Sequence, residues 1–141
     1  MIRITDNTGR GSEVSEILRF ALGKLGVDDI TVVVVNNDRL LDRLAGGGDV
    51  TYDALVTETG LERQYLLMLR ERLSASLLSV LCHESVHISQ YVSGRLKLDS
   101  KTGVCTWMGR IYPADYDYRR RPWEAEAFRL QDKLAREYRK R

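Results

Sequence analysis

Leu77-Leu78-Ser79-Val80-Leu81-Cys82-His83-Glu84-Ser85-Val86-His87-Ile88 is the stretch around which the rest of the chain is arranged. Leu77, Leu78, Leu81, Ile88 and Val92 recur at helical offsets, with Ser74 as the expected N-cap and Gly94 as the expected stop. On a helix, positions four apart lie one turn above each other, so His83 and His87 present both imidazoles on one face. That is the bite of a single metal ion, and zinc accepts two histidine nitrogens at about 2.0–2.1 Å. Glu84 projects about 100° round the helix from His83. From there it faces a water held at the metal, the position of a general base. These are the only two histidines in the chain, and both fall inside the motif. Ser76 and Ser79, small and one turn earlier on the histidine side, leave room for a ligand.

Outside this helix the composition is that of an ordinary globular chain. Its 141 residues predict one domain, residues 1–141, with 43% hydrophobic and 30% charged residues. Lys plus Arg (22) against Asp plus Glu (20) gives a formal charge of +2, which argues against nucleic-acid or membrane attraction. Arg119-Arg120-Arg121 and Arg139-Lys140-Arg141 read as solvated helix ends. Cys82 and Cys105 have no spacing of a disulfide framework or zinc knuckle; Cys82 is turned away from the metal face as a small buried thiol. The absence of a membrane-span pattern and of a signal-peptide pattern predicts a cytoplasmic protein with reduced thiols.

Before the motif, the order is predicted as strand (Met1–Thr5), turn, helix capped by Ser12 and stopped by Gly26, then strand (Ile30–Val35). The β-branched run of Ile30–Val35 suits a central strand buried on both faces. A short helix follows over Asp38–Leu44, then Gly46-Gly47-Gly48. That triple glycine lacks the Gly-Lys-Ser/Thr continuation of a phosphate loop and reads as a surface loop. Val50–Thr57 and Gln64–Arg70 read as strands about a turn at Thr59-Gly60, with a helical alternative left open for the second. After the motif helix, Val104–Tyr112 predicts one or two short strands turning at Met108-Gly109. A Tyr- and Arg-rich loop then leads to Pro122 at the first position of a last helix, Trp123 to about Tyr138.

A catalytic zinc takes three protein ligands, and with no third histidine an acidic residue must supply the last. The final helix offers Glu124 and Glu126. Glu124 lies about 65° from the centre of the apolar stripe of Trp123, Ala127, Leu130, Leu134 and Tyr138, and Glu126 about 95° on the other side. Glu124 is preferred, with Glu126 then a supporting or salt-bridged residue; both also suit the first turn of a helix as ordinary acids.

Taken together, His83-Glu84-x-x-His87, Gln90-Tyr91, Trp107-x-Gly109-x-x-Tyr112 and Arg121-Pro122-Trp123-Glu124-Ala125-Glu126-Ala127 resemble the small gluzincin-type zinc metallopeptidases of bacteria and phages. The resemblance covers about Leu77 to Arg136. It implies an α+β, zincin-like (minimal gluzincin) domain, in which a small twisted mixed sheet packs against the active-site helix and a C-terminal helix. It also implies one Zn²⁺ held by His83, His87 and Glu124, Glu84 as catalytic base, and a protein or peptide substrate. Gluzincins often carry Asp or Asn four residues after the ligand glutamate, whereas this chain has Phe128. Tyr112, Tyr116, Tyr118 and Arg120 are candidates by location to assist the oxyanion. A non-catalytic zinc-binding or partner-binding scaffold and a nucleic-acid-associated regulatory protease are the alternative functions.

Overall fold

The structure, a computed structural model, describes residues 1–44 and 52–141. The predicted triple-glycine loop and the start of the strand predicted at Val50 lie outside the described residues.

The chain is a mixed α+β protein. Strand β1 (Ile2–Asp6), helix α1 (Glu13–Lys24) and strand β2 (Ile30–Val35) open it, followed by α2 (Asp38–Leu44), β3 (Ala54–Glu58) and β4 (Gln64–Leu69). The long helices are α3 (Leu77–Val92) and α4 (Pro122–Arg139), with the strands β5 (Leu96–Leu98), β6 (Cys105–Trp107) and β7 (Arg110–Tyr112) between them. The four larger strands form a sheet in the order β1-β2-β4-β3, with β1, β2 and β4 parallel and β3 antiparallel at the edge. Strands β5, β6 and β7 make a separate antiparallel meander.

Alternation in β2 decides which face receives the helices. Ile30, Val32 and Val34 are buried, whereas Thr31, Val33 and Val35 are half-buried, so only one face is fully covered and not both as the β-branched run suggested. Against the covered face sit Val14, Ile17, Leu18, Ala21 and Leu22 of α1 and Leu81, Val86 and Ile88 of α3, in one hydrophobic cluster with Ala127, Leu134 and Ala135 of α4. Each large aliphatic side chain buried here contributes roughly 1.5–3 kcal/mol.

Local signals set the element ends, with three departures. Helix α3 begins at Ser76, whose hydroxyl accepts from Ser79 N at 3.1 Å, and not at Ser74. Ser74 instead donates its amide and hydroxyl to Asp53, 2.9 and 3.0 Å from Oδ1, which ties the loop before α3 to β3. Ser12 occupies the N-cap position of α1 without a capping bond; its hydroxyl turns to Glu16 Oε1, 3.2 Å away. Strand β5 was hidden in a polar stretch, because its pairing with β6 and not its own pattern makes it a strand. Gln64–Leu69 is extended, as the parallel partner of β2, which removes its helical alternative. Met108 and Gly109, at φ +52° and +84°, form the two-residue turn between β6 and β7. No helix among the described residues is long and apolar enough to cross a membrane.

Candidate metal centre

The centre lies where α3 packs against the first turns of α4. Position and anchoring of α4 come from Trp123, 4% exposed, whose ring lies 5.2 Å from Tyr112 and 6.3 Å from Trp107. With Pro122 opening the helix and Trp123 fixed on the meander, the next residue, Glu124, is delivered to the motif helix.

His83 Nε2 and His87 Nε2 are 3.2 Å apart, and Glu124 Oε1 is 3.0 Å from each. Four ligands set tetrahedrally at zinc–nitrogen distance would have their donor atoms about 3.3–3.4 Å apart. The three atoms therefore form a triangle only slightly tighter than a zinc site. Glu84's carboxylate is also within 4.8 Å of both imidazoles, but Glu124 is the nearer acid.

The outer nitrogens explain why the inner ones converge. His87 Nδ1 meets Gln90 Oε1 at 2.8 Å, and His83 Nδ1 meets Gln131 Oε1 at 2.7 Å. Gln90 is fully buried, and its NH₂ donates to Trp123 O at 3.0 Å and to Glu126 Oε1 at 3.1 Å. Its carbonyl must then face His87, so His87 Nδ1 is the donor. With both Nδ1 protons engaged, two Nε2 lone pairs and a carboxylate oxygen point at one spot. Such a set repels itself unless a cation sits in it, a proton or a metal. The donor set and its geometry fit zinc.

Electrostatics follow from burial and from this convergence. Glu84, 4% exposed, makes no hydrogen bond among the described residues; burial pushes its carboxyl up to about 7, although both histidines pull it down. Burial alone would lower His87, but Glu124 beside it outweighs that and holds the imidazole up at about 9. Burial would raise Glu124 in turn, and the two histidines drive it well below the usual carboxylate range. Cys82 is fully buried, its thiol pushed up to about 11.

Of the candidates named from the sequence, the structure brings His83, His87, Glu84 and Glu124 together. Glu126 faces away from the histidines and pairs with Arg95 Nη1 at 2.7 Å. Tyr118 donates its hydroxyl to Glu124 Oε1 at 3.2 Å and packs edge-on against Tyr52. Tyr112 and Tyr116 pack on each other, 5.0 Å between rings, and Arg120 is exposed. Phe128, 48% exposed, sets its ring 4.6 Å from His83, and the polar partner of that histidine comes from Gln131 instead.

Three participants were not given roles by the sequence reasoning. Gln90, three residues after His87 on the same helix, was open to detection by the periodicity that placed His83 and His87 on one face, whereas Gln131, two turns after Glu124, meets His83 only through the packing of α4 on α3. Tyr52 carried no local signal. Comparison with protein-family models, curated proteins and solved structures found no match.

Proposed function

We propose that the chain is a zincin-like, zinc-dependent metallopeptidase, with His83, His87 and Glu124 holding the ion and Glu84 as catalytic base. The observation that carries this is the convergence of His83 Nε2, His87 Nε2 and Glu124 Oε1 within 3.0–3.2 Å, with a buried free carboxylate beside it.

Zinc, when bound, supplies a Lewis acid that polarises a carbonyl and acidifies a water. The protein does the rest. Gln90 and Gln131 keep the two Nε2 lone pairs aimed inward. Glu84, buried beside the two histidines, takes the proton of the attacking water and passes it to the leaving amine. Tyr118 presents its hydroxyl at the Glu124 edge of the same centre. Strand β3, the antiparallel edge of the sheet lying beside α3, offers main-chain groups along which an extended peptide can align.

The test is elemental analysis of the purified chain after zinc loading and desalting, beside a peptide-library digestion. Wild type and Glu126→Ala should carry about one zinc per chain, Glu124→Ala should lose it, and wild type should cleave peptides. Absence of zinc in the loaded wild type overturns the metal centre. Zinc without cleavage leaves a non-catalytic metal-holding scaffold.

A further inference from the structure

Histidines 83 and 87 look equivalent in the motif, yet their outer nitrogens are held very differently. Among the described residues, His83 Nδ1 ends on the amide of Gln131. His87 Nδ1 begins a chain: it donates to Gln90 Oε1 at 2.8 Å, and Gln90 Nε2 donates to Glu126 Oε1 at 3.1 Å. Arg95 Nη1 then donates to both Glu126 oxygens, at 2.8 and 2.7 Å. Arg95 is itself fixed, its Nε on Ser93 Oγ at 3.1 Å and its guanidinium 5.4 Å above the Trp107 ring.

The direction of this chain is not free. An amide can be turned over, and a flipped Gln90 would aim an NH₂ at His87 Nδ1. That would strip the imidazole of its acceptor and reverse its tautomer, with the proton moved to the nitrogen that faces the metal. Trp123 O and the Glu126 carboxylate both demand donors, and together they exclude the flip. The carboxylate demand is the stronger, because hydrogen bonds to ionised groups are roughly twice as strong as neutral ones. Arg95 holds that carboxylate in place by donating to both of its oxygens. The ion pair is half-buried, with side-chain exposures of 33% and 18%, so solvent screens it only in part.

We infer that Glu126 and Arg95 are positioning residues that set the metal affinity of His87 from outside the centre, acting through the amide of Gln90. Neither hydrogen-bonds a ligand residue. The inference rests on the metal-centre reading and adds to it a dedicated control on one of its two histidines.

A double-mutant cycle on the full chain tests it, with zinc dissociation constants from competition against a chromogenic chelator. Glu126→Leu should weaken zinc binding roughly tenfold, and Gln90→Leu by about 10–100-fold, the usual range for lost outer-shell partners. In the Gln90→Leu background, Glu126→Leu should add less than about a twofold change, because the connection is already cut. Equal losses in both backgrounds, or no loss in either, overturn the inference. A second readout does not depend on Gln90→Leu folding. With two histidines in the chain, the imidazole ¹⁵N–¹H spectrum of the zinc-loaded protein has two Nδ1–H signals to follow. Glu126→Leu and Arg95→Met should each displace the His87 signal and leave that of His83 in place; equal displacement of both, or of neither, rejects the relay. Failure of wild type to bind zinc at all rejects the underlying centre instead, so the two failures are distinguishable.

Discussion

Gln131 Oε1 lies 2.7 Å from His83 Nδ1, so α4 supplies both the acid beside the inner nitrogen of His83 and the amide beside its outer one. Glu124 and Gln131 are two turns apart on one helix face, which clamps the imidazole between them. Phe128, between the two along the chain, packs its ring against that imidazole. A single helix thus fixes His83 in position and ring plane.

Replacement of Gln131 should therefore act on the metal and not on the fold. Gln131→Leu removes the acceptor and should weaken zinc binding about 10–100-fold, while Gln131→Glu, a stronger acceptor, should tighten it. Chelator competition on both variants checks the order. An affinity for Gln131→Leu equal to wild type would sink the tautomer argument.

Glu84→Gln should separate binding from chemistry. The amide keeps the shape but takes no proton, so zinc stoichiometry stays at wild-type level and peptide hydrolysis falls by about 10²–10⁴-fold. Stability of the metal-free protein should move the other way. The folded-state carboxyl is raised from 4.5 to about 7, chiefly by burial, so wild type carries no penalty below pH 4.5 and loses stability as pH rises from there through about 7. Above that window Glu84→Gln should be more stable than wild type by about 3 kcal/mol, and near pH 4 the two should coincide. Thermal melts in chelator at both pH values decide.

Zinc affinity should depend on pH through His87. In the metal-free protein Glu124 holds this imidazole protonated up to about pH 9, against the opposing effect of burial. The ion must displace that proton, so affinity should rise by up to about tenfold per pH unit below 9 and level off above it. Competition titrations at several pH values, corrected for the chelator's own protonation, give the slope. A flat profile would mean that no proton leaves.

Trp123→Ala should cost about 3–5 kcal/mol, because it empties a buried site beside Tyr112 and Trp107. Glu124 is its neighbour in the first turn of α4, so zinc affinity should fall along with the denaturation midpoint. A destabilised variant that still bound zinc at wild-type affinity would show that α4 is placed by other contacts.

Much of this arrangement was legible beforehand, for a local reason. Helical spacing depends on neighbours three and four residues away, so the run Leu77–Val92 and the facing of His83 and His87 follow from the sequence alone. The β-branched run Ile30–Val35 and the Pro122 start of α4 are equally local, and both fell within a residue of expectation. The preference for Glu124 over Glu126 also came from periodicity, since it asks only which side of one helix faces the core.

The tertiary structure decided what no window of the sequence contains. Strand β5 exists because β6 pairs with it. Ser74 lost its capping role to Ser76 because Asp53, just before β3, claims its amide and hydroxyl. The outer partner of His83 and the anchor of Gln90 could be located only once α3 and α4 were packed, since Gln131 stands 48 residues from His83 and Trp123 O stands 33 residues from Gln90. Hydrogen bonds are satisfied in space, and a buried imidazole or amide takes whichever partner the packing brings within 3 Å. The sequence by itself determined the helices, the strands β1 and β2 and the candidate ligand residues. The packing of α4 on α3 determined which of those residues meet, in which tautomer, and around which point.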